Sequence, residues 1–225
     1  RVFELYGYNP FDTPIIERYD TLTAKFTAGA GSDAESEIFK LTDQGGRKLG
    51  LRYDLTVPFS RFIGMNPQMK MPFKRYQIGR VYRDGPIKLG RYREFWQCDV
   101  DVVGVKSMLA DAEVLSLADN ALRELKLKAR IEVNNRKLLN GILEQVGVAK
   151  DKESAIIAID KLAKYGKKVV ADELKEKGVD KKAIDKVMDL ISITGKNDEI
   201  LSKVKKKVDN DIGKEGIEEL EELFS

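Results

Sequence analysis

The feature that most constrains this chain is a pair of strand-like runs, "FKRYQIGRVYR" and "EFWQCDVDVVG", separated by about ten residues rich in Arg and Lys. A hairpin needs only two to five loop residues, so the long basic connection calls for its own explanation. The second run alternates, with Trp96, Cys98, Val100 and Val102 on one face and Phe95, Gln97, Asp99 and Asp101 on the other. The apolar face is expected to seek a core. The polar face either meets water, as antiparallel sheets permit, or forms the floor of a ligand site.

The segments around these runs mix helices and hairpins. A short helix is expected to end near Gly7, followed by an extended piece, "YNPFDTPIIE", in which Pro10 and Pro14 forbid a regular helix. "TAGAGSDAESE" reads as a mobile loop. "IFKLTDQGGRKLGLRYDLT" reads as a hairpin turned by Gly45 and Gly46, after which Thr56 is expected to cap a helix with Pro58 in its first turn. "SMLADAEVLSLADNALRELKLK" reads as a helix with Leu115, Ala118, Leu122 and Leu125 on its apolar face. Helices interspersed with hairpins favour an α+β fold on an antiparallel sheet. No strand–glycine loop–helix unit suggests a dinucleotide or P-loop fold.

From about residue 130 the texture changes. Residues 130 to 225 contain no proline, and their only aromatics are Tyr165 and Phe224. A short alternating piece, "ARIEVNN", precedes four or five expected amphipathic helices, closed by Gly147, Gly166, Gly178 and Gly195, with Asp180 and Asn197 as N-caps. Two domains follow: 1–129, mixed, and 130–225, a small helical domain with a charged surface.

Composition narrows the chemistry. Forty basic residues face 37 acidic ones in a chain of 225, so net charge (+3) says little. Its distribution says more: between Lys70 and Arg93, eight basic residues face Asp84 alone. That excess suits a nucleotide phosphate or RNA, or else a solvated basic face. The chain has no histidine and one cysteine, Cys98, which excludes a Ser/His/Asp triad, a Cys/His pair, an internal disulfide and a Cys- or His-based metal cluster. No protein-held metal is therefore expected. No apolar run nears the ~20 residues of a membrane span and no signal peptide is read at the start. The expected setting is cytoplasmic, without membrane attachment.

Candidate ligand residues lie at two places. Asp54 and Thr56 share a strand face with Arg52 if the strand runs on, and Asp54 suits a substrate ammonium; Thr56 either joins it or only caps the helix. Gln97 and Asp101 suit the ammonium and second polar group of a small zwitterion. Arg83 and Arg91, at the two ends of the basic loop, suit separate phosphates, because a planar guanidinium donates two parallel hydrogen bonds to phosphate oxygens.

At these residues the chain resembles the class II histidyl-tRNA synthetases of the archaeal and eukaryotic branch. "RVYRDGPIKLGRYREFWQCDVDVVG" resembles their motif 2 and "VFELYGYNPFDTPIIE" their motif 1, with Pro14 as the motif proline. "LRYDLTVPFSRF" resembles the first histidine-binding stretch, and "IEVNNRKLLNGILEQVG" with the helices after it resembles the insertion domain. The resemblance implies an antiparallel synthetase sheet flanked by helices over 1–129 and a helical insertion domain over 130–225. It implies that L-histidine, ATP with Mg²⁺, and tRNA(His) are the partners, and that the parent enzyme is a homodimer.

It also implies roles. Arg83 contacts the α-phosphate of ATP and the adenylate, Arg91 the polyphosphate, and Phe95 stacks on adenine. Asp54, Thr56 and Gln97 surround the α-ammonium of histidine, and Asp101 meets its imidazole. The family pattern departs at Gly85, where a glutamate that reads adenine is expected. Motif 3 and the anticodon-binding domain are expected beyond Ser225, so this chain by itself is expected to adenylate histidine weakly or not at all. Two non-catalytic relatives share the fold, the regulatory subunit of ATP phosphoribosyltransferase and uncharged-tRNA sensor modules. The first usually lacks the helical insertion, and the second usually lacks the ATP contacts that Arg83, Arg91 and Phe95 supply.

Overall fold

The structure, a computed structural model, describes residues 1–24, 33–148, 152–160 and 162–225. Most of the glycine-rich stretch read as a mobile loop lies outside them. The chain divides into two compact units, Arg1–Lys128 and Ala129–Ser225.

In the first unit, α1 (Val2–Leu5) runs into β1 (Asn9–Pro10), then β2 (Ile16–Arg18), α2 (Tyr19–Thr23), α3 (Asp33–Ser36), β3 (Lys40–Thr42), β4 (Lys48–Leu51) and α4 (Thr56–Met65). The two long strands β5 (Phe73–Tyr82) and β6 (Glu94–Val103) follow, and α5 (Leu109–Glu124) closes the unit. The strands form two sheets. One has the order β2-β4-β3, all antiparallel; the other has the order β1-β5-β6. The fold is α+β, as expected, with one addition: the two-residue β1 runs parallel to β5, pairing Asn9 with Arg75. The β3–β4 turn is built as read, except that Gly46 alone takes positive φ (+75°), while Asp43 ties the turn by accepting from the Gly45 and Arg47 amides.

The β5–β6 hairpin pairs ten residues on each strand, from Phe73 opposite Val103 to Tyr82 opposite Glu94. The expectation for its two faces is reversed. Trp96 is 63% exposed, Ile78 is 52% exposed and Cys98 is exposed, whereas opposite them on the other face Arg75, Gln77 and Val81 are buried. The reason is which face α4 covers. Phe59 of α4 stacks on Phe73 at 6.0 Å, and Phe11 bridges Phe59, Phe62 and Phe73 with ring centroids 4.5–6.0 Å apart. This aromatic cluster fastens α4 over the face that carries the polar residues, where Arg75 pairs with Asp101 and Gln77, and Gln97 with Asp99.

The helix α5 turns Leu117 into the core; Leu125, expected on its apolar face, is 68% exposed beyond the helix end. α5 is anchored by Glu113, which accepts from Tyr8 Oη at 2.9 Å and from Lys74 Nζ at 2.9 Å.

The second unit holds α6 (Arg136–Gln145), α7 (Lys152–Asp160), α8 (Leu162–Glu176), α9 (Lys181–Ile191), α10 (Asn197–Lys205) and α11 (Asp211–Phe224). Its core gathers Leu143, Ala158, Val170, Leu174, Val187 and Ile217 from the inward stripes of these helices. Asp180 caps α9 as expected, accepting from the Lys182 amide at 2.9 Å. Asn197 is instead the first residue of α10, and the capping asparagines are Asn135 and Asn210. Gly166, at φ +79° and ψ 172°, interrupts the helical run within α8, so one helix gives way to the next there as expected. "ARIEV" pairs with no strand among the described residues, although its alternation reads as β. α6 and α11 approach closely through glycines: a Cβ on Gly141 would fall 2.5 Å from Gly213 Cα.

Candidate active site

The site is built on the inner face of the β5–β6 hairpin. Side chains directly opposite one another on an antiparallel pair share a face. The register therefore groups Arg75 with Asp101, Gln77 with Asp99, Gly79 with Gln97, and Val81 with Phe95. Arg83, one residue beyond β5, continues the same alternation, and its amide donates to Arg93 O at 2.8 Å. The basic run thus does not form one face. Arg75 and Arg83 turn inward, while Arg80 turns outward to Glu94 at 2.8 Å.

The segment ahead of α4 supplies the facing wall. Asp54 Oδ1 accepts from the Val57 amide at 2.9 Å, so Asp54 performs the capping expected of Thr56. Thr56 instead directs its hydroxyl to Asp99 Oδ2 at 3.4 Å, which also accepts from Gln97 Nε2 at 3.3 Å. Asp99 joins the two predicted residues, although it was not itself singled out. Gln97 Oε1 is buried without a hydrogen-bond partner. A buried amide oxygen left so is costly unless a ligand supplies a donor. Gly79, across from Gln97, makes room for the buried Arg52 guanidinium; a Cβ there would fall 2.6 Å from Arg52 Nη2.

At the loop end, Arg83 donates from Nε to Tyr53 O at 3.1 Å, and its guanidinium lies 5.1 Å from the Phe95 ring. Tyr53 precedes Asp54, so this bond ties the arginine to the wall that carries the candidate ammonium acceptor. Burial raises the Tyr53 hydroxyl to about 12, with Asp54 adding and Arg83 opposing. Arg91 pairs with Glu37, whose backbone oxygen accepts from the Asp84 amide at 2.7 Å. Gly85 sits in the same corner, where a Cβ would fall 2.9 Å from Glu37 Oε1. Arg91 is thus set apart from the Asp54–Asp101 group, and its partner Glu37 had no sequence signal. At the loop tip, Lys88 and Arg91 are bridged around Gly90 at φ +76°.

At the far end of the floor, Arg75 Nη2 stands 2.5 Å from Asp101 Oδ2. Burial pushes the Asp101 carboxyl above the ordinary carboxylate range, Arg75 pulls it back, and Asp99 and Asp54 add to the rise. A cleft of about 740 Å³ opens beside Asp54 and Thr56, bounded also by Arg18, Asp20, Ser60 and Arg61. Among the described residues, no group of three or more His, Cys, Asp or Glu side chains is arranged to hold a metal ion. No helix among them is long and apolar enough to cross a membrane.

A long antiparallel hairpin with an arginine at its loop and carboxylates along its floor, faced by a capped helix, is the core of a class II aminoacyl-tRNA synthetase fold. The family model for histidyl-tRNA synthetase matches residues 1–225. The chain is 49% identical over 223 residues to histidine–tRNA ligase 2 of Shouchella clausii, covering 99% of this chain and 52% of that protein. It is 42% identical over 229 positions to histidine–tRNA ligase of Aeropyrum pernix, covering 100% of this chain and 52% of that protein. The crystal structure of histidyl-tRNA synthetase from Nostoc superposes with a TM-score of 0.83 at 31% identity, over 100% of this chain and 51% of that one. The chain belongs to the histidyl-tRNA synthetase family, and spans about half the length of the relatives it matches.

Proposed function

We propose that this chain carries the amino-acid and ATP floor of a histidine–tRNA ligase, which joins L-histidine to ATP to form histidyl-adenylate and passes the histidyl group to tRNA(His). The observation that supports it best is the single face on which Gln97, Asp99, Asp101 and Arg83 lie, closed by Asp54 and Thr56. Three carboxylates there suit an amino acid bearing an ammonium and a nitrogenous side chain, and an arginine at the edge suits a phosphate.

In this reading, Asp54, Thr56 and Gln97 receive the α-ammonium and Asp101 the imidazole N–H. The histidine carboxylate is thereby aimed at the α-phosphorus of ATP. Its oxygen bonds to that phosphorus as the bond to the bridging oxygen breaks and pyrophosphate leaves. Arg83 stabilises the charge on the α-phosphoryl oxygens, and orienting the reactants contributes the rest. Phe95 offers its ring to adenine, and Arg91, exchanging Glu37 for the polyphosphate, steadies the leaving group. Mg²⁺ would arrive on the phosphates and offset their charge; a site without a carboxylate cage fits that, since Mg²⁺ is commonly held largely through substrate phosphates and water.

Residues 1–129 then act as the front of the catalytic domain, working as a homodimer in the intact enzyme, and 130–225 as the insertion domain. The lysines of the latter, such as Lys167, Lys168 and Lys205 to Lys207, meet tRNA phosphates. The setting is the cytoplasm. Histidine-dependent ATP–pyrophosphate exchange tests this reading in the intact protein: exchange that requires L-histidine and disappears in Asp101→Asn supports it. Exchange driven equally by other amino acids overturns it.

A further inference from the structure

Arg75 has no exposed surface. A buried guanidinium stays charged, so its partners must hold it. Nη1 donates to Gln77 Oε1 at 3.0 Å, Nη2 donates to Leu55 O at 3.0 Å, and the group lies 4.2 Å from the Phe59 ring. These contacts come from β5, from the turn before α4 and from α4 itself, so the planar fork cannot rotate. Directly across the ladder, Asp101 Oδ2 is buried against it at 2.5 Å. The Asp101 side chain as a whole is 23% exposed although Oδ2 is buried, so the carboxylate stands at the edge of the open side of the floor.

We infer that Arg75 is a positioning residue that selects the amino acid indirectly: it clamps one oxygen of Asp101 and leaves the other fixed as an ionised acceptor for a side-chain N–H of the ligand. The identity of that ligand rests on the function proposed above; the clamp itself does not. The charged or titratable groups that face Asp101 are Arg75 on β5, Asp99 on β6, Asp54 ahead of α4, and Tyr8 before β1. Arg75 is the only cation in that set. Without it, burial and two neighbouring carboxylates drive Asp101 to keep its proton. A protonated acid donates as well as accepts, and it no longer discriminates an imidazole from a hydroxyl or amide.

The test compares Arg75→Met, Arg75→Lys and Asp101→Asn in this chain, with carboxyl ¹³C NMR following Asp101 against pH and calorimetry following L-histidine. In R75M the Asp101 titration is expected to move up by about one unit or more. L-histidine affinity is expected to fall about 30-fold, to the level of D101N. R75K keeps the charge but not the fork, so the titration stays in place while affinity falls about fivefold. An R75M protein whose Asp101 titrates as in the wild type, or whose L-histidine affinity stays within about threefold, overturns the inference. Should R75M fail to fold, R75K decides: unchanged affinity overturns it, and a loss without a titration shift supports it. If the unaltered chain binds no L-histidine, the affinity comparison is made in the intact protein, where absent binding overturns the proposed function, while the Asp101 titration still judges the clamp.

Discussion

Asp54 accepts the backbone amide of Val57 at 2.9 Å, so one carboxylate both starts a helix and faces the ligand floor. The two duties separate by substitution. Asp54→Asn keeps an oxygen for the amide but loses the charge; Asp54→Ala loses both. Urea unfolding followed through Trp96, the single tryptophan and a part of β6, is expected to place D54N near the wild type. D54A is expected to lose about 1 kcal/mol, the usual worth of an N-cap. Both are expected to weaken L-histidine binding about tenfold or more by calorimetry, since a charged acceptor for an ammonium is gone.

Arg83 is expected to resist conservative replacement. Its Nε is occupied by Tyr53 O, which leaves the remaining guanidinium nitrogens for the phosphate in the proposed reaction. Arg83→Lys retains the charge but cannot make both contacts. Pyrophosphate exchange in the intact protein is expected to fall about 100-fold or more in Arg83→Ala and nearly as far in R83K. The KM for L-histidine is expected to change much less.

Glu113 gives the first unit an acid-side weakness. Burial alone would raise its carboxyl, but the hydrogen bonds from Lys74 and Tyr8 and the Lys74 charge hold it below the ordinary 4.5. A carboxyl lowered on folding stabilises fully above the unfolded value and loses that contribution as pH falls through the folded one. Stability read at Trp96 should therefore decline as pH drops below about 4.5, and Glu113→Gln should flatten the decline. Asp101 has the opposite sign. Its raised carboxyl favours folding at low pH and withdraws that contribution as pH climbs through the folded value.

Helix packing in the second unit depends on Gly216. A Cβ there would lie 2.4 Å from Leu138 N and 2.7 Å from Asn135 Oδ1, both backbone or capping atoms that cannot yield cheaply. Gly216→Ala is expected to destabilise this unit by about 1–3 kcal/mol in urea melts followed by far-UV circular dichroism. Gly64, in α4 of the first unit, would place its Cβ in open space. Gly64→Ala is expected to stabilise by a few tenths of a kcal/mol, up to about 1.

How far the site was legible follows from these residues. The alternation of Gln97, Asp99 and Asp101 could be read directly, because a period of two needs no partner. The register could not, and with it the role of Arg75. The connection contains its own small turn at Lys88 and Arg91, so its midpoint was hidden, and only the observed ladder sets Arg75 against Asp101. Hydrophobicity alone points the wrong face inward, because it assumes that water meets polar groups. Here the polar face is covered by the Phe59 side of α4 and held by the Arg75–Asp101 ion pair, while Trp96 faces outward. Thr56 was read as a cap because it opens the helix; the competing carboxylate two residues earlier takes the amide instead. "ARIEV" shows the limit of alternation as a signal, since a strand also needs an edge to pair with.

The outward turn of Cys98 has a practical corollary. It stands in β6 between Gln97 and Asp99, whose side chains point to the opposite surface, and the chain carries no second thiol. A dye coupled there would sit on the reverse of the binding platform, one peptide unit from two of its members, and leave the platform itself unobstructed. Burial, reinforced by Asp99, raises the sulfhydryl above its ordinary value, so conjugation should run best in mildly alkaline buffer. The molecule thus carries its own attachment point for an emission probe of occupancy.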